Sequence, residues 1–486
     1  MARRGIRSEG ARVGRTAPDP GGHRTTRRRV EFSKLATQTS WPRLCVVSLG
    51  VMSMRGRPGT KALPLVGGGR AVGGPIALGV LALFFGFALL GFAAAAVVLL
   101  LAAPDLAARD PLALRLVLAV HLLALGFLPL AVTGAALHLL PVMLRNDAGH
   151  PGRLRLALSL LLGGFLVAPG IAWTVPGLLW PGAALLSGGL AIVVIELLGL
   201  VRNAPGGRTL VVSRVGVTLA CLHVVAALVL GAVVFSRGDD PVAGVTHERW
   251  LLVHLHLAVL GWLAMLILTV GRTLGPMLAV APTAPTRRWP VAECALAAGV
   301  WTLATGIAVS SNALALAGGA AVVVTLASFA RIMLGVARGR RLPIEAPLAH
   351  LLAGVLFLAQ AAVLGVLMLV GALSAQRAVV AYVIFLLLGW AGGVTLGHLG
   401  KLLSLSLWVW WPPGPRPKQE ALYPRAVWLI EAACFTVGVE LLAIGSLAGR
   451  VEPVRAGGVL LLCAAALAIL GAGTTWRRRA PARGTV

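Results

Sequence analysis

From about residue 73 the chain alternates long apolar runs with short polar breaks. Each run supplies the ~20 residues a helix needs to cross the hydrocarbon of a bilayer. Twelve spans are read, at about 75–103, 113–144, 153–173, 178–201, 210–236, 249–280, 289–309, 312–337, 347–371, 378–411, 424–448 and 456–475. The runs 153–173 and 178–201 are joined only by WTVPG, so their division is the least sharp. In hydrocarbon only helices or closed barrels satisfy the backbone, and runs this apolar predict helices. The expected fold is all-α, a polytopic membrane domain over 73–476 with a basic tail on either side, 1–72 and 477–486.

Loop charge tests that division. One set of loops carries Arg145, Arg153 and Arg155; Arg202 and Arg208; Arg287 and Arg288; Arg338, Arg340 and Arg341; Arg416 and Lys418; and the terminal WRRR. The alternate set is short, neutral or mixed in sign: PDLAARD, WTVPG, RGDDPVAGVTHE, SSN, SAQR and RVEPVR. By the positive-inside rule this places both termini in the cytoplasm and the protein in the cell inner (plasma) membrane, with the lipid bilayer as its first partner.

Three spans share a frame. With Gly126, Gly261 and Gly389 set as zero, the next residue is Phe127, Trp262 or Trp390. Eight further stand Gly134, Thr269 and Gly397; twelve further, His138, Thr273 and Lys401. Fifteen further come Pro141 and Pro276, with Ser404 breaking the pattern; five earlier come His121 and His256, with Ile384 breaking it. These are the second, sixth and tenth spans, which predicts three pseudo-symmetric four-helix repeats at about 73–201, 208–337 and 345–476.

Composition agrees: 58% hydrophobic, 12% charged and a mean hydropathy of +0.90, against about a quarter charged in soluble domains. Much of the net charge of +27 sits in the first seventy residues, and the rest dots the short loops. It therefore sets topology and meets anionic lipid, not nucleic acid. MARRGIRSEGARVGRTAPDPGGHRTTRRR reads as a disordered cytoplasmic tail, and LCVVSLGVMSM is too short to span. Met52 and Met54 are alternative starts. The five cysteines (Cys45, Cys221, Cys294, Cys434, Cys463) form no C-x-x-C pair, and the last four read as small core residues within spans.

The chemistry is concentrated in ERWLLVHLHLAVLGWLAMLILTVGRTLGPMLAV, a span that holds His254 and His256. At about 100° per residue the two point some 200° apart, so they serve two partners on opposite faces. Imidazole is the commonest metal ligand, and an ionisable residue inside a membrane is costly and functional by default. His121 lies at a similar depth; His138 and His398 lie nearer the inner ends, and His223 lies mid-span. His350, beside RGRRLP, reads as interfacial, and Arg272 and Lys401 as cations that snorkel to the headgroups. Glu196, Glu293, Glu431 and Glu440 are sparse acids in or beside spans, and His247 is assigned no role. No phosphate-binding loop, zinc spacing or Ser-His-Asp set is present.

HLHLAVLGWLAMLILTVGRTLGPML and HLLALGFLPLAVTGAALHLLPVML resemble the histidine-rich helix of haem-copper oxidase subunit I, above all the cbb-type oxidases and nitric oxide reductases. GWAGGVTLGHLGKLLSLSLWVWW resembles the closing helix of small oxidase-subunit-I-like membrane proteins, and the NnrS family is a weaker likeness. The resemblance implies twelve spans in three four-helix groups and b-type haem. It implies His254 as axial ligand of a high-spin haem, and His256 with His121 as ligands of a low-spin one. His398, His138 and His223 are additional candidate ligands. In that superfamily the H-x-H lies on the tenth span; here it is on the sixth, and the seventh span, WPVAECALAAGVWTLATGIAV, has no histidine for a copper site. The expectation is therefore a haem b membrane protein in electron transfer or in nitric oxide or oxygen chemistry, with a cytochrome c-like or quinol donor and without supported copper. An enzyme of this kind would be a haem-dependent oxidoreductase. The competing expectations are a transporter and a haem-free assembly or sensor protein.

Overall fold

The computed structural model describes residues 76–144, 146–147, 149–172, 175–204, 214–237, 241–282, 288–412 and 415–479. The basic tail, Cys45 and the alternative starts lie outside the described residues. Twelve helices are long and apolar enough to cross a membrane: Leu78–Leu101, Leu114–Leu144, Pro151–Ile171, Gly177–Asn203, Arg214–Ser236, His247–Ala279, Trp289–Ala308, Asn312–Gly339, Ala346–Leu369, Ala375–Val409, Arg425–Ala448 and Val451–Arg477. They are spans 1 to 12 below. Span 12 begins earlier than the sequence suggests, within RVEPVR, because Pro453 falls in the first turn, where its missing N–H breaks no helical bond.

Helix ends are set by ordinary capping chemistry. Ser311 accepts from the Leu314 N–H at the start of span 8. Gly449 (φ 68°) closes span 11 in the left-handed conformation. At that end Arg109 donates to the carbonyls of Ser446 and Leu447, both at 3.0 Å, and the Ser446 hydroxyl returns a bond to Leu106 at 2.9 Å. The turn after span 1 is thereby fastened to the end of span 11.

Spans 2, 6 and 10 are the innermost. In their most apolar windows 67%, 67% and 83% of residues are buried, against 28–50% for the other nine. Each also carries a π-helical segment, Leu122–Phe127, Leu257–Leu263 and Ile384–Gly392. A π segment closes i→i+5 hydrogen bonds, is rare inside α-helices and occurs frequently at functional sites. The segments of spans 2 and 6 each contact that of span 10.

The helices approach closely at small residues. A Cβ on Gly91 would meet the Gly126 backbone at 2.7 Å, one on Gly261 the His223 ring at 2.3 Å, and one on Gly389 the Phe357 ring at 2.8 Å. A second contact lies two helical turns away in each pair: Phe84 against Gly134, Gly216 against Thr269, and His350 against Gly397. On spans 1, 5 and 9 the two partners are seven residues apart every time, so the helix pairs 1–2, 5–6 and 9–10 pack in one register.

Candidate functional site

The site is built on how the three π segments begin. His121 and His256 are the last α-helical residues before the segments of spans 2 and 6. In span 10 Val383 holds that place, with Tyr382 just before it. Counted from the register glycines, Tyr382 occupies the position of His254, seven residues earlier.

The two histidines of H-x-H find partners on different sides, as their angular separation requires. His254 Nδ1 donates to the Ala227 carbonyl of span 5 at 2.9 Å. His256 Nδ1 donates to its own helix at Leu252, 2.7 Å, while its Nε2 accepts from the Tyr382 hydroxyl of span 10 at 2.8 Å. His121 Nδ1 donates to Val117 at 2.7 Å, and its ring is within electrostatic reach of His254. Spans 2, 6 and 10 thus bring His121, His254, His256 and Tyr382 into one layer. His256 and Tyr382 are largely buried, 5% and 9% exposed.

His121, His223, His256 and His398 share one device: each Nδ1 lies 2.7 Å from the carbonyl four residues earlier. Only a donor can bond a carbonyl, so the proton is on Nδ1 and the lone pair on Nε2. That is the tautomer of an iron-ligating imidazole, and such a clamp orients it. The donor set fits axial ligation of a haem. Space is the stricter condition, because the register glycines are filled: Gly126 by the Phe165 ring as well as Gly91, Gly261 by His223, Gly389 by Phe357. These glycines serve helix packing and hold no room for a flat cofactor. Among the described residues no three His, Cys, Asp or Glu side chains gather closely enough to hold a metal ion.

The additional candidates lie apart from this layer. His138 Nε2 bonds Ser406 Oγ at 2.8 Å; because that hydroxyl already donates to Leu402, the histidine is the donor. His223 stacks on Trp301 at 5.7 Å, with its Nε2 buried and unpartnered. His398 lines a cavity of about 30 Å³ at the arginine-rich end.

Several sequence expectations need correction. His350 is not interfacial: it is fully buried, with Nε2 3.0 Å from Glu431 Oε2. Lys401 does not snorkel: it is 3% exposed, and Glu345 at 2.8 Å supplies its counter-charge. Arg272, 4% exposed, lies over the Trp289 ring at 5.4 Å and within electrostatic reach of Glu293, so it too has no need of the headgroups. Glu293 accepts from Thr269 at 2.9 Å, Glu196 pairs with Arg153 at 2.6 Å, and Glu440 accepts from Gln360 at 3.0 Å. Of the four span cysteines only Cys221 is a core residue; Cys294 and Cys463 are exposed on the outside of the bundle.

Tyr382 is the residue that sequence reasoning missed. Two signals could have found it: it is one of only two tyrosines in the chain, and it shares the register of His254. No protein-family profile matches the chain, and no curated protein is detectably similar to it.

Proposed function

We propose that this chain is a b-type haem-binding integral membrane protein, built like haem-copper oxidase subunit I and working in electron transfer linked to nitric oxide or oxygen chemistry. His121 and His256 would hold one haem, and His254 would hold a second. The observation that carries the reading is the matched clamp on His121 and His256, each at the end of an α-helix and the start of a π segment in an innermost span. The common register of pairs 1–2, 5–6 and 9–10 supports three four-helix groups. The loop charges support a cytoplasmic arginine-rich end in the plasma membrane.

Bound haem supplies one-electron transfer at a potential set by its axial ligands. The protein's share is to fix each ring through its Nδ1 clamp and to keep the layer dry with the aromatic and leucine packing around it. Tyr382 holds His256 Nε2 through its hydroxyl, so His256 would hold haem only with that bond released. An external donor, cytochrome c-like or quinol, completes the proposal.

The test is the reduced-minus-oxidised spectrum of protein purified after expression with ample haem precursor. A b-type spectrum is expected, its low-spin part lost in His121→Ala and in His256→Ala and kept in Tyr382→Phe. A colourless wild type would favour a transporter or a haem-free scaffold.

A further inference from the structure

At the arginine-rich end, spans 9, 10 and 11 enclose ionisable side chains that the histidine layer does not use. His350 and Glu431 are both 0% exposed and lie 3.0 Å apart. Each keeps a second polar atom buried without a partner, Nδ1 on the histidine and Oε1 on the acid. Lys401 Nζ lies 2.8 Å from Glu345 Oε2 and 4.8 Å over the Tyr423 ring. The buried Tyr423 hydroxyl faces the Ala346 backbone and is within electrostatic reach of Glu345, Glu431 and Arg425. Burial first, then the Glu345 charge, push that phenol upward, so it stays neutral. On span 10 His398 follows Gly397, which packs against the His350 side chain, and His398 and Glu345 both line the cavity of about 30 Å³ beside Arg340 and Pro343. That volume suits a water or two.

Two cations stand outside the pair: Arg340, which lines the cavity with Glu345 and bonds the Ala337 carbonyl, and Arg425. On span 11 Cys434 senses Glu431 and, on span 12, Cys463. Arg425 is exposed and spends its guanidinium on the Ile344 carbonyl at 2.9 Å. Phe435 packs edge-on against His350 at 5.1 Å. Lys401 and Glu345 balance each other, so Glu431, 0% exposed against a neutral His350, carries one uncompensated negative charge. An unpaired charge in such a place is far too costly to persist, and one proton removes it.

We propose that the His350–Glu431 pair is a proton-binding site that exchanges with the aqueous phase at the arginine-rich end through His398 and the adjoining cavity. The step moves a proton and no electrons. A hydronium in the cavity becomes water as His398 Nε2 takes its proton, and His398 is neutral again once the proton reaches Glu431 Oε1 or His350. Release reverses the order. The proposal does not rest on the haem reading, since its residues lie at the other end of the spans from His121 and His256.

The test uses the full chain in liposomes and infrared difference spectra between acid and alkaline buffer. Carboxyl and imidazole bands of the pair are expected in the wild type, absent from Glu431→Gln and from His350→Gln, and untouched in Glu440→Gln. After a pH jump His398→Ala should slow their appearance by at least about tenfold, as loss of a proton-transfer group does. Spectra of Glu431→Gln and His350→Gln identical to the wild type would overturn the site. An unchanged rate in His398→Ala would overturn the route, and this arm stands even if the two pair variants fail to fold.

Discussion

The bond from Tyr382 to His256 Nε2 links two innermost spans where both groups are almost out of reach of solvent. Replacing Tyr382 by Phe removes the donor and leaves a buried lone pair, a loss of about 1–3 kcal/mol. The detergent-solubilised apoprotein should therefore melt at a lower temperature than the wild type, and an unchanged melting point would mean the bond is not formed. The Lys401–Glu345 pair calls for a different pattern. With its ammonium 4% and its carboxylate 13% exposed, Lys401→Met strands a nearly buried charge at a cost of about 3–5 kcal/mol. Lys401→Met with Glu345→Met removes both charges and should recover most of the lost melting temperature; a double variant weaker than either single one would contradict this. Residue roles were the least legible part of the sequence. His350 stands beside a basic loop, which suggests an interface, but its partner Glu431 is 81 positions away. Linear order shows that a polar side chain is present, and only packing shows which carboxylate from another helix neutralises it.

Helices were far more legible, because in hydrocarbon an uninterrupted apolar run has one good backbone solution. The twelve spans match the apolar runs to within a few residues at most ends. The register of Gly126, Gly261 and Gly389 was legible too, and it marks the three π segments, although nothing in one sequence announces a π turn as such. What the sequence left open was what each glycine faces. Two adjacent glycines of span 8 show the difference. A Cβ on Gly318 would lie 2.2 Å from the Leu303 backbone nitrogen of span 7, whereas one on Gly319 meets nothing within 4 Å. Gly318→Ala should force spans 7 and 8 apart, lowering the melting temperature and the yield of folded protein. Gly319→Ala should be neutral or stabilising by up to about 1 kcal/mol, since alanine is the better helix former. Equal effects of the two changes would contradict the packing.

For the whole molecule, an all-α twelve-span bundle follows from apolar patterning alone, and the arginine alternation predicts its orientation. A reporter that fluoresces only in the cytoplasm, fused after the last residue or in the loop holding Arg338 and Arg340, should be bright; fused in the SAQR loop it should be dark. The reverse would invert the topology. Within this frame two of the innermost spans, 2 and 6, carry the clamped imidazoles His121 and His256, and the central claim is that iron sits on them. The most direct measurement is the haem b content of the purified full-length protein, read as the pyridine haemochrome. The account predicts about one haem b or more per chain, falling sharply in His121→Ala and in His256→Ala. No haem in the wild type, or the same content in both variants, would contradict it.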